Sequence, residues 1–595
     1  MTIPQPPPDV PSTPSIGDYG LIGDMRTAAL IDRWGRMDWL CWPRFDSPPL
    51  LRRLIDPYAG TWQVAPTVPF DAARRYLPDT NVLETTFTCA DGVTVTQDFM
   101  AVPVEGLGGS RVIRIIEGRS GAVPIRMSLR ASRGFRPGNA RLGVRDGELL
   151  VGSPQRPAAV LSATEPVSVA QDEATVEVVL EPGERLMIML ASAPTDVPFA
   201  AQGLAARDAT VRWWRDWIGR CRLAPIKRDA VVRSALTLKL LHHQPTDALV
   251  AAPTTSLPER PGASRNWDYR YPWLRDSSMM TLALQRLGHR DEAMGFWSWL
   301  ADTAQRHGDD LSVAYTLDGD PLPDESEVKG LAGHRGWGPV RVGNAAGTQR
   351  QHDVYGHVLA AASHCYHHMD MESAAPQAVL NRLADLAARR WHRPDDSIWE
   401  VRGRRAHHTY SHLMCWLAID RAVDLAAHGA LAGDSARWAA QRDAARQAIL
   451  ERAWDPILGA FTGTLGGGDV DAAALVAPLI GFLPPDDPRC RSTRRVVTDR
   501  LGDNGLLHRY CHDDGLGGRD AAFLLCTLWL ADTHTVDGDP DRGEELLERV
   551  LATGNDLGLL AEEPDPATGA PLGNFPQGLT HLAVIESVHR LAGAP

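Results

Sequence analysis

The 595-residue sequence lacks several features that would point to a membrane or a nucleic acid. No run of about 18 apolar residues occurs, so we expect no transmembrane helix. The N-terminus has no basic stretch followed by an apolar one, which argues against a signal peptide and favours a cytoplasmic protein. The net charge is −13 and no long Lys/Arg block is present, so nucleic acids and anionic membranes are poor candidate partners.

Motifs typical of nucleotide and hydrolase chemistry are also missing. Neither GxGxxG nor a P-loop occurs in a strand–turn–helix context, and GxSxG is absent, which argues against nucleotide binding and an α/β-hydrolase. The eight cysteines are scattered without a CxxC pair, so we expect reduced thiols.

The chain divides into two textures. Residues 1–14 are rich in proline and are predicted to be a disordered arm. Short β-branched segments punctuated by Gly, Pro and Asp over 15–203 predict an antiparallel β-sandwich. A helical linker over 204–228 leads into a helical domain over 229–595.

Periodicity predicts twelve helices in the second domain, over 229–244, 275–288, 290–306, 352–369, 373–391, 408–428, 434–453, 470–482, 491–501, 518–533, 541–554 and 577–592. The segment 521–531 is apolar on all sides, whereas 541–554 has a single apolar stripe. Alternation of buried with half-exposed helices describes two concentric rings, an (α/α)6 barrel. The alternative is an irregular helical domain.

Five interhelical loops are rich in Trp, Asp, Glu, Arg and Asn: 253–275, 307–350, 392–407, 502–517 and 556–577. Long loops in a compact domain are usually functional. In a two-ring barrel, alternate connections emerge at the same end, so we expect a polar, tryptophan-lined cleft there.

The first loop ends in Trp273, Arg275 and Asp276. A guanidinium donates and a carboxylate accepts hydrogen bonds, so this pair can hold hydroxyl groups, while an indole offers a flat apolar face. Sugars need this combination. The alternative is an Asp276 helix cap with Arg275 in a surface ion pair.

The third loop contains the stretch SIWEVRG, with Trp399, Glu400 and Arg402. A tryptophan that covers Glu400 would exclude water and favour the neutral acid, which can donate a proton to a leaving oxygen. Arg402 would oppose this if it contacted the carboxylate. The alternative is a glutamate in a simple salt bridge.

The last loop carries the adjacent acids Glu562 and Glu563 before a turn rich in Pro, Gly and Asp. One of them could be an ionised base that activates water, and the alternative is a solvated acidic loop. Weaker candidates are Trp337 and Arg341 as sugar contacts and the acidic pair at 513–514 at the cleft mouth.

Histidine clusters at 363–370 and 407–412 suggest a metal site, because His364 and His368 are four residues apart on one predicted helix. However, HExxH is absent and no third ligand is defined, so we expect no metal.

Six stretches in order resemble the family 15 glycoside hydrolases, the bacterial glucoamylase and trehalase family: 16–48, 265–276, 341–356, 397–403, 513–518 and 555–577. The resemblance covers nearly the whole chain. It implies an N-terminal β-sandwich packed on an (α/α)6 barrel.

The resemblance also implies residue roles. Glu400 matches the general acid and Glu562 the general base of a reaction that inverts the anomeric centre, so their carboxyl groups should stand about 6.5–9.5 Å apart. Arg275 and Asp276 match the clamp on the terminal glucose, beside the two tryptophans 273 and 399. Arg402 orients the carboxyl or the sugar. No cofactor is needed.

We therefore expect an inverting, exo-acting, glucoamylase-like α-glucosidase that releases β-glucose from a short oligosaccharide. The alternative is a trehalase, and the alternative of another class is a catalytically silent carbohydrate-binding protein on the same fold. His412, His357 and Pro272 depart from residues that are common in bacterial relatives, which leaves the leaving-group subsite open.

Overall fold

The computed structural model describes residues 13–102, 109–145, 148–153, 156–192, 199–262, 264–308, 311–369, 376–511 and 521–593. Most of the predicted N-terminal arm and the acidic pair at 513–514 lie outside these residues. Among the helices described, none combines the length and the apolarity needed to cross a membrane.

The first part of the chain is a sandwich of two eight-stranded antiparallel sheets. One sheet has the order β1-β2-β3-β5-β10-β17-β16 with β4 beside β3, and the other has the order β13-β14-β15-β18-β9-β8-β7-β6, while β11 and β12 form a separate hairpin. The strands are β1 (Tyr19–Gly23), β2 (Ala28–Asp32), β3 (Arg36–Cys41), β4 (Pro49–Leu51), β5 (Thr61–Pro66), β6 (Phe70–Tyr76), β7 (Leu83–Cys89), β8 (Gly92–Met100), β9 (Arg111–Gly121), β10 (Val123–Arg130), β11 (Ser132–Arg133), β12 (Arg136–Asn139), β13 (Leu142–Arg145), β14 (Glu148–Ser153), β15 (Arg156–Ala163), β16 (Ser168–Ala170), β17 (Glu173–Leu180) and β18 (Arg185–Ala191).

Alternating side chains and one buried ion pair hold the two sheets together. Along β10, every second residue from Val123 is buried, as the two-residue period of a strand requires. Arg114 on β9 is fully buried; its Nε donates to Asp98 Oδ1 at 2.7 Å, and its terminal nitrogens donate to the carbonyl oxygens of Trp62 and Gly35 across the sandwich. The ion pair is thereby fully hydrogen-bonded, which offsets its desolvation.

The second part of the chain consists of helices: α1 (Phe199–Gly219), α2 (Arg228–Leu241), α3 (Leu274–Arg286), α4 (Arg290–His307), α5 (Asp353–His368), α6 (Gln377–Arg390), α7 (Thr409–Ala427), α8 (Ser435–Arg452), α9 (Val476–Leu479), α10 (Pro488–Leu501), α11 (Leu524–Val536), α12 (Pro540–Leu551) and α13 (Gly578–Leu591). The loops between the helices contain short two-stranded sheets. They pair β19 (His242–His243) with β20 (Ala248–Leu249), β21 (Ser326–Glu327) with β22 (Arg341–Val342), β23 (Trp454–Asp455) with β24 (Ala460–Phe461), β25 (Gly502–Asp503) with β26 (Leu506–Leu507), and β27 (Glu563–Pro564) with β28 (Pro571–Leu572).

The helices from α2 to α13 form two concentric rings. The inner ring consists of α3, α5, α7, α9, α11 and α13; the turn at Ala472–Leu475 that precedes α9 closes the ring against α7, and the even-numbered helices pack outside. Along α11, every residue from Leu524 to Thr533 is buried, whereas α12 buries only one stripe, as the sequence predicts. The predicted (α/α)6 barrel is therefore observed.

One inner helix is much shorter than predicted. In place of a helix over 470–482, a 3-10 turn at Ala472–Leu475 leads into the four-residue α9. Pro478 has no amide hydrogen to donate, and Gly481 takes a φ of 77°, which ends the helix.

The β-sandwich supports the first of the five polar interhelical loops, the loop over 253–275. The indole nitrogen of Trp39 donates to the carbonyl oxygen of Pro253 at 2.8 Å, and Arg270 Nη1 donates to the carbonyl oxygen of Ser47 at 3.0 Å. Both bonds tie the α2–α3 loop to the sandwich, so the two domains position this loop together.

Candidate active site

Residues from several loops line one cavity at a single end of the barrel. Connections from an outer to the next inner helix all emerge at this end, and the five predicted loops belong to such connections. The lining includes both candidate catalytic glutamates, an indole and several charged neighbours: Glu259, Arg275, Trp399, Glu400, Arg402, Arg509 and Glu562. Loops far apart in the sequence thus form one site.

Glu400 projects from a tight turn with left-handed backbone. Its φ is 57° and that of Ser397 is 66°, a conformation that costs a non-glycine residue roughly 1 kcal/mol or more. The turn is held by the Glu400 amide, which donates to the carbonyl oxygen of Ser397, and by Gln349 Nε2, which donates to that of Glu400. These hydrogen bonds hold the strained turn in place, and the turn presents the Glu400 carboxyl group on the cavity wall.

Two donors from α3 and the residue before it reach the Glu400 carboxyl group. The indole nitrogen of Trp273 donates to Glu400 Oε1 at 2.7 Å, and Arg275 Nη2 lies 3.5 Å from the same oxygen. Both contacts stabilise negative charge on that oxygen.

Arg275 and Asp276 form a buried pair, so the alternative of a surface pair with a helix cap is wrong. The Nε of Arg275 donates to Asp276 Oδ1 at 3.1 Å, and Nη1 donates to Gln351 Oε1 at 2.7 Å. The residue before the helix is Trp273, and its side chain makes no cap. Burial raises the pKa of Asp276 to about 6, against the opposing effect of Arg275.

Trp399 and Arg402 line the cavity but have other partners than the sequence suggests. The indole nitrogen of Trp399 donates to Asp471 Oδ2 at 2.9 Å. Arg402 donates to both carboxylate oxygens of Glu325, at 2.8 and 2.6 Å, and its guanidinium lies 4.0 Å from the centre of the Trp267 ring. Arg275, in the first turn of α3, makes the contact with the Glu400 carboxyl group that the sequence had raised for Arg402.

Glu562 is buried, and its side chain is only partly hydrogen-bonded. Gln577 Nε2 donates to Oε1 at 3.2 Å, whereas Oε2 has no hydrogen-bond partner among the described residues. Burial and then the charge of Glu259 raise the pKa of Glu562 to about 8, against Arg509 and the Gln577 bond. Gly573, at a φ of 76°, leaves room here, because a Cβ would stand 3.4 Å from Glu562 Oε2.

Two charged residues of the site, Arg509 and Glu259, were not predicted from the sequence. Arg509 Nη2 lies 3.3 Å from Glu563 Oε1 and 3.7 Å from Glu259 Oε2, so one guanidinium holds two buried carboxylates. Both residues lie in loops that the sequence predicts. A charged residue within a long loop between apolar helices was the signal that could have identified them. Glu563 pairs with Arg509, while Glu562 is the member of the adjacent pair that lines the cavity.

Two predicted sugar contacts have structural partners outside the cavity lining. Arg341 Nη1 donates to the carbonyl oxygen of Ser264 and pairs with Glu327, and the carbonyl oxygen of Trp337 accepts from Asn266. Neither belongs to the described residues that line the cavity. These two residues shape the loops around the site.

The three departures from common family residues are buried and partnered. His412 Nδ1 meets the carbonyl oxygen of His408 at 2.9 Å, and burial lowers its pKa to about 4. His357 Nε2 meets the hydroxyl group of Tyr410 at 2.9 Å, and the Pro272 carbonyl accepts from the amide of Tyr315. None of the three lines the described cavity around Glu400.

Comparison with known proteins agrees with this architecture. The model of glycosyl hydrolases family 15 matches residues 225–539, and that of a trehalase-like N-terminal domain matches residues 11–208. A trehalase of Mycolicibacterium smegmatis is 36% identical over 97% of this chain and 91% of its own. A trehalase of Thermoplasma volcanium is 31% identical over 98% of this chain and 94% of its own.

A solved structure supports the fold. The crystal structure of a bacterial glucoamylase complexed with acarbose aligns with a TM-score of 0.71, covering 99% of this chain and 96% of that one at 11% identity. The predicted sandwich and (α/α)6 barrel are thereby confirmed, and the family model together with the trehalase relatives confirms the family resemblance.

Proposed function

The chain belongs to glycosyl hydrolases family 15, and from this premise we propose that it is a trehalase, which hydrolyses α,α-trehalose to two molecules of glucose. The observation that carries the proposal is the full-length similarity to curated trehalases at 36% and 31% identity. From the sequence alone we expect a glucoamylase-like substrate, with trehalose as the alternative. The relatives favour the alternative.

The chemistry assigns one role to each of the two glutamates on the cavity wall. Glu400 donates its proton to the oxygen that joins the two glucose units, and the bond from that oxygen to one C1 breaks. Glu562 accepts a proton from a water whose oxygen attacks the same C1 from the opposite face. The attacked unit leaves as β-glucose, and the other unit keeps its own C1–O bond and leaves as α-glucose.

The contacts of Glu400 favour the carboxylate that remains after Glu400 has donated its proton. Once the proton has gone, the carboxylate is stabilised by the Trp273 indole N–H at 2.7 Å and the Arg275 guanidinium at 3.5 Å. Stabilisation that grows as charge develops lowers the barrier rather than only binding the substrate.

The surroundings of Glu562 suit a carboxyl group that exchanges a proton with a water. Its Oε2 has no protein partner among the described residues, so this oxygen is available to a water molecule. Its raised pKa makes it a stronger base than an exposed glutamate. The pair as a whole must carry one proton for the reaction to begin.

The remaining lining provides a sugar subsite. Arg275 lines the cavity and can donate to sugar hydroxyl groups, and the Trp399 ring supplies an apolar wall; Asp276, which accepts from Arg275, is not among the described lining residues. We assign the attacked glucose to this subsite.

Proton NMR of the anomeric region with trehalose, maltotriose and isomaltose in parallel tests the proposal. From trehalose we expect α- and β-glucose in equal amounts during the first minutes, before mutarotation. Only α-glucose from trehalose would refute inversion. Turnover of maltotriose or isomaltose without turnover of trehalose would return the glucoamylase-like assignment.

A matched variant tests the assignment of the base. Glu562→Gln keeps the size of the side chain and should abolish turnover while trehalose still binds, as measured by calorimetry. Undiminished turnover in this variant would overturn the role of Glu562. Trehalose binding without turnover in the unmodified chain would favour the carbohydrate-binding alternative.

A further inference from the structure

Two imidazoles and a carboxylate converge where the inner helices α5 and α7 end. His367 lies in the last turn of α5, Asp424 in the last turn of α7, and His428 directly follows α7. One nitrogen of each imidazole and one carboxylate oxygen lie within 4.8 Å of one another. We propose that His367, Asp424 and His428 bind a divalent transition-metal ion of the Zn²⁺ class.

The donor types select the ion. Imidazole nitrogen together with carboxylate oxygen suits Zn²⁺, Co²⁺ and Ni²⁺, whereas Mg²⁺ and Ca²⁺ prefer sites made of oxygen alone. Tetrahedral ligands about 2.0–2.1 Å from Zn²⁺ stand roughly 3.3 Å apart. The distance from His367 Nε2 to Asp424 Oδ2 is 2.7 Å, and the three donor groups lie within 4.8 Å of one another, so side-chain rotations can bring them to this spacing.

The His428 ring is already oriented as in many metal sites. Its Nδ1 lies 2.9 Å from the carbonyl oxygen of Asp424, which can only accept, so in the neutral ring Nδ1 carries the hydrogen and Nε2 carries the lone pair. Metal-ligating histidines commonly donate their other N–H to a backbone carbonyl. The hydroxyl group of Tyr366 donates to the carbonyl oxygen of His428 at 2.9 Å and fixes this backbone.

The site lies far from the candidate catalytic residues. Asp353 begins α5 and its Oδ2 is 3.6 Å from Arg275 Nη1, which places the start of the helix beneath the cavity. His367 follows fourteen residues later, and a rise of about 1.5 Å per residue puts it roughly 21 Å away along the helix. An ion there joins the ends of α5 and α7 and takes no part in glycosidic bond cleavage.

The sequence pattern had pointed to a different pair. His364 and His368 are four residues apart on α5, and their rings are 4.7 Å apart. Neither belongs to the described three-residue group that could hold an ion. His368 therefore provides a matched control: it is exposed like His367 and adjacent to it, and its loss should leave the proposed site intact.

Calorimetric titration of the untagged, chelator-treated full chain with Zn²⁺ tests the proposal. We expect one tight site per chain, weakened at least about tenfold in His428→Ala and in Asp424→Asn and unchanged in His368→Ala. Equal affinity in the unmodified chain and in His428→Ala, or no binding at all, would overturn the proposal. Loss of binding in His368→Ala alone would move the site to the pair on α5.

Thermal unfolding gives an independent readout. An ion that binds only the folded chain stabilises it by mass action. Zn²⁺ should therefore raise the unfolding temperature of the unmodified chain and of His368→Ala, but not that of Asp424→Asn, which keeps the size of the side chain. An equal rise in Asp424→Asn would contradict the proposed ligand set.

Discussion

Replacing Glu259 by glutamine should move the pH dependence of the candidate enzyme. The charge of Glu259 is, after burial, the largest factor that raises the pKa of Glu562, to about 8. The catalytic pair is active while it holds one proton, and the raised pKa of Glu562 lets the pair keep that proton up to about pH 8. Activity should therefore fall above this pH.

The structure bounds the size of the effect. Glu562 Oε2 and Glu259 Cγ lie 3.4 and 3.7 Å from the position of a Cβ on Gly573, so these two atoms are at most about 7 Å apart, and the Glu259 carboxylate begins one carbon beyond its Cγ; a separation of about 7 Å sets the scale. At an effective dielectric constant of about 20, unit charges roughly 7 Å apart interact by about 2.4 kcal/mol, or ~1.7 pKa units. Screening reduces this value, and we expect a shift of about one to two units.

The assay is kcat/KM for trehalose between pH 4 and 10 in buffers of constant ionic strength. The alkaline limb should lie near pH 8 in the unmodified chain and about one to two units lower in Glu259→Gln, because removing a negative charge eases ionisation of Glu562. Glu327→Gln, at an exposed glutamate, is the control and should not move the limb. An unmoved or upward-shifted alkaline limb in Glu259→Gln would refute the reasoning.

Three further changes test other parts of the molecule. Glu400→Gln should lower kcat for trehalose by about 10²–10⁴-fold because it removes the proton donor, and a loss below tenfold would contradict that role. Trp273→Phe keeps an aromatic ring but deletes the N–H bonded to Glu400, so kcat should fall about 10–100-fold with little change in KM; a change confined to KM would argue for a sugar contact instead. Leu528→Ala, at a fully buried position of α11, should lower the free energy of unfolding by about 2–5 kcal/mol in urea titrations. A cost below about 1 kcal/mol would show that the neighbouring helices can move in to fill the space left by the leucine side chain.

The architecture could be predicted from the sequence because both domains follow simple periods. Alternation on β10 and the one-sided stripe of α12 determine which faces are buried, and these patterns are local. The exception, α9, is also local in origin: Pro478 and Gly481 interrupt a segment that is otherwise apolar enough for a helix.

The partners of the charged side chains could not be predicted in this way. The sequence left open whether Arg402 contacts the Glu400 carboxyl group two residues before it, and in the structure Arg402 pairs with Glu325 instead. The guanidinium that reaches Glu400 is that of Arg275 on α3, more than a hundred residues away in the sequence. Such pairs depend on how loops meet in space, which no window of sequence contains.

The charges at the cavity floor explain why a proton is held there. Glu259, Glu562 and Glu563 are all buried, and the described contacts gather them around one guanidinium, that of Arg509. Three ionised carboxylates near one another would repel each other, which is costly in a low-dielectric interior. A proton retained on Glu562 removes one of these charges, and its Oε2 has no hydrogen bond from the described residues to stabilise the ionised form. The proposed reaction starts from the arrangement in which this proton is on Glu400 and Glu562 is ionised, and the burial that destabilises the Glu562 carboxylate then makes it a strong acceptor for a proton from water.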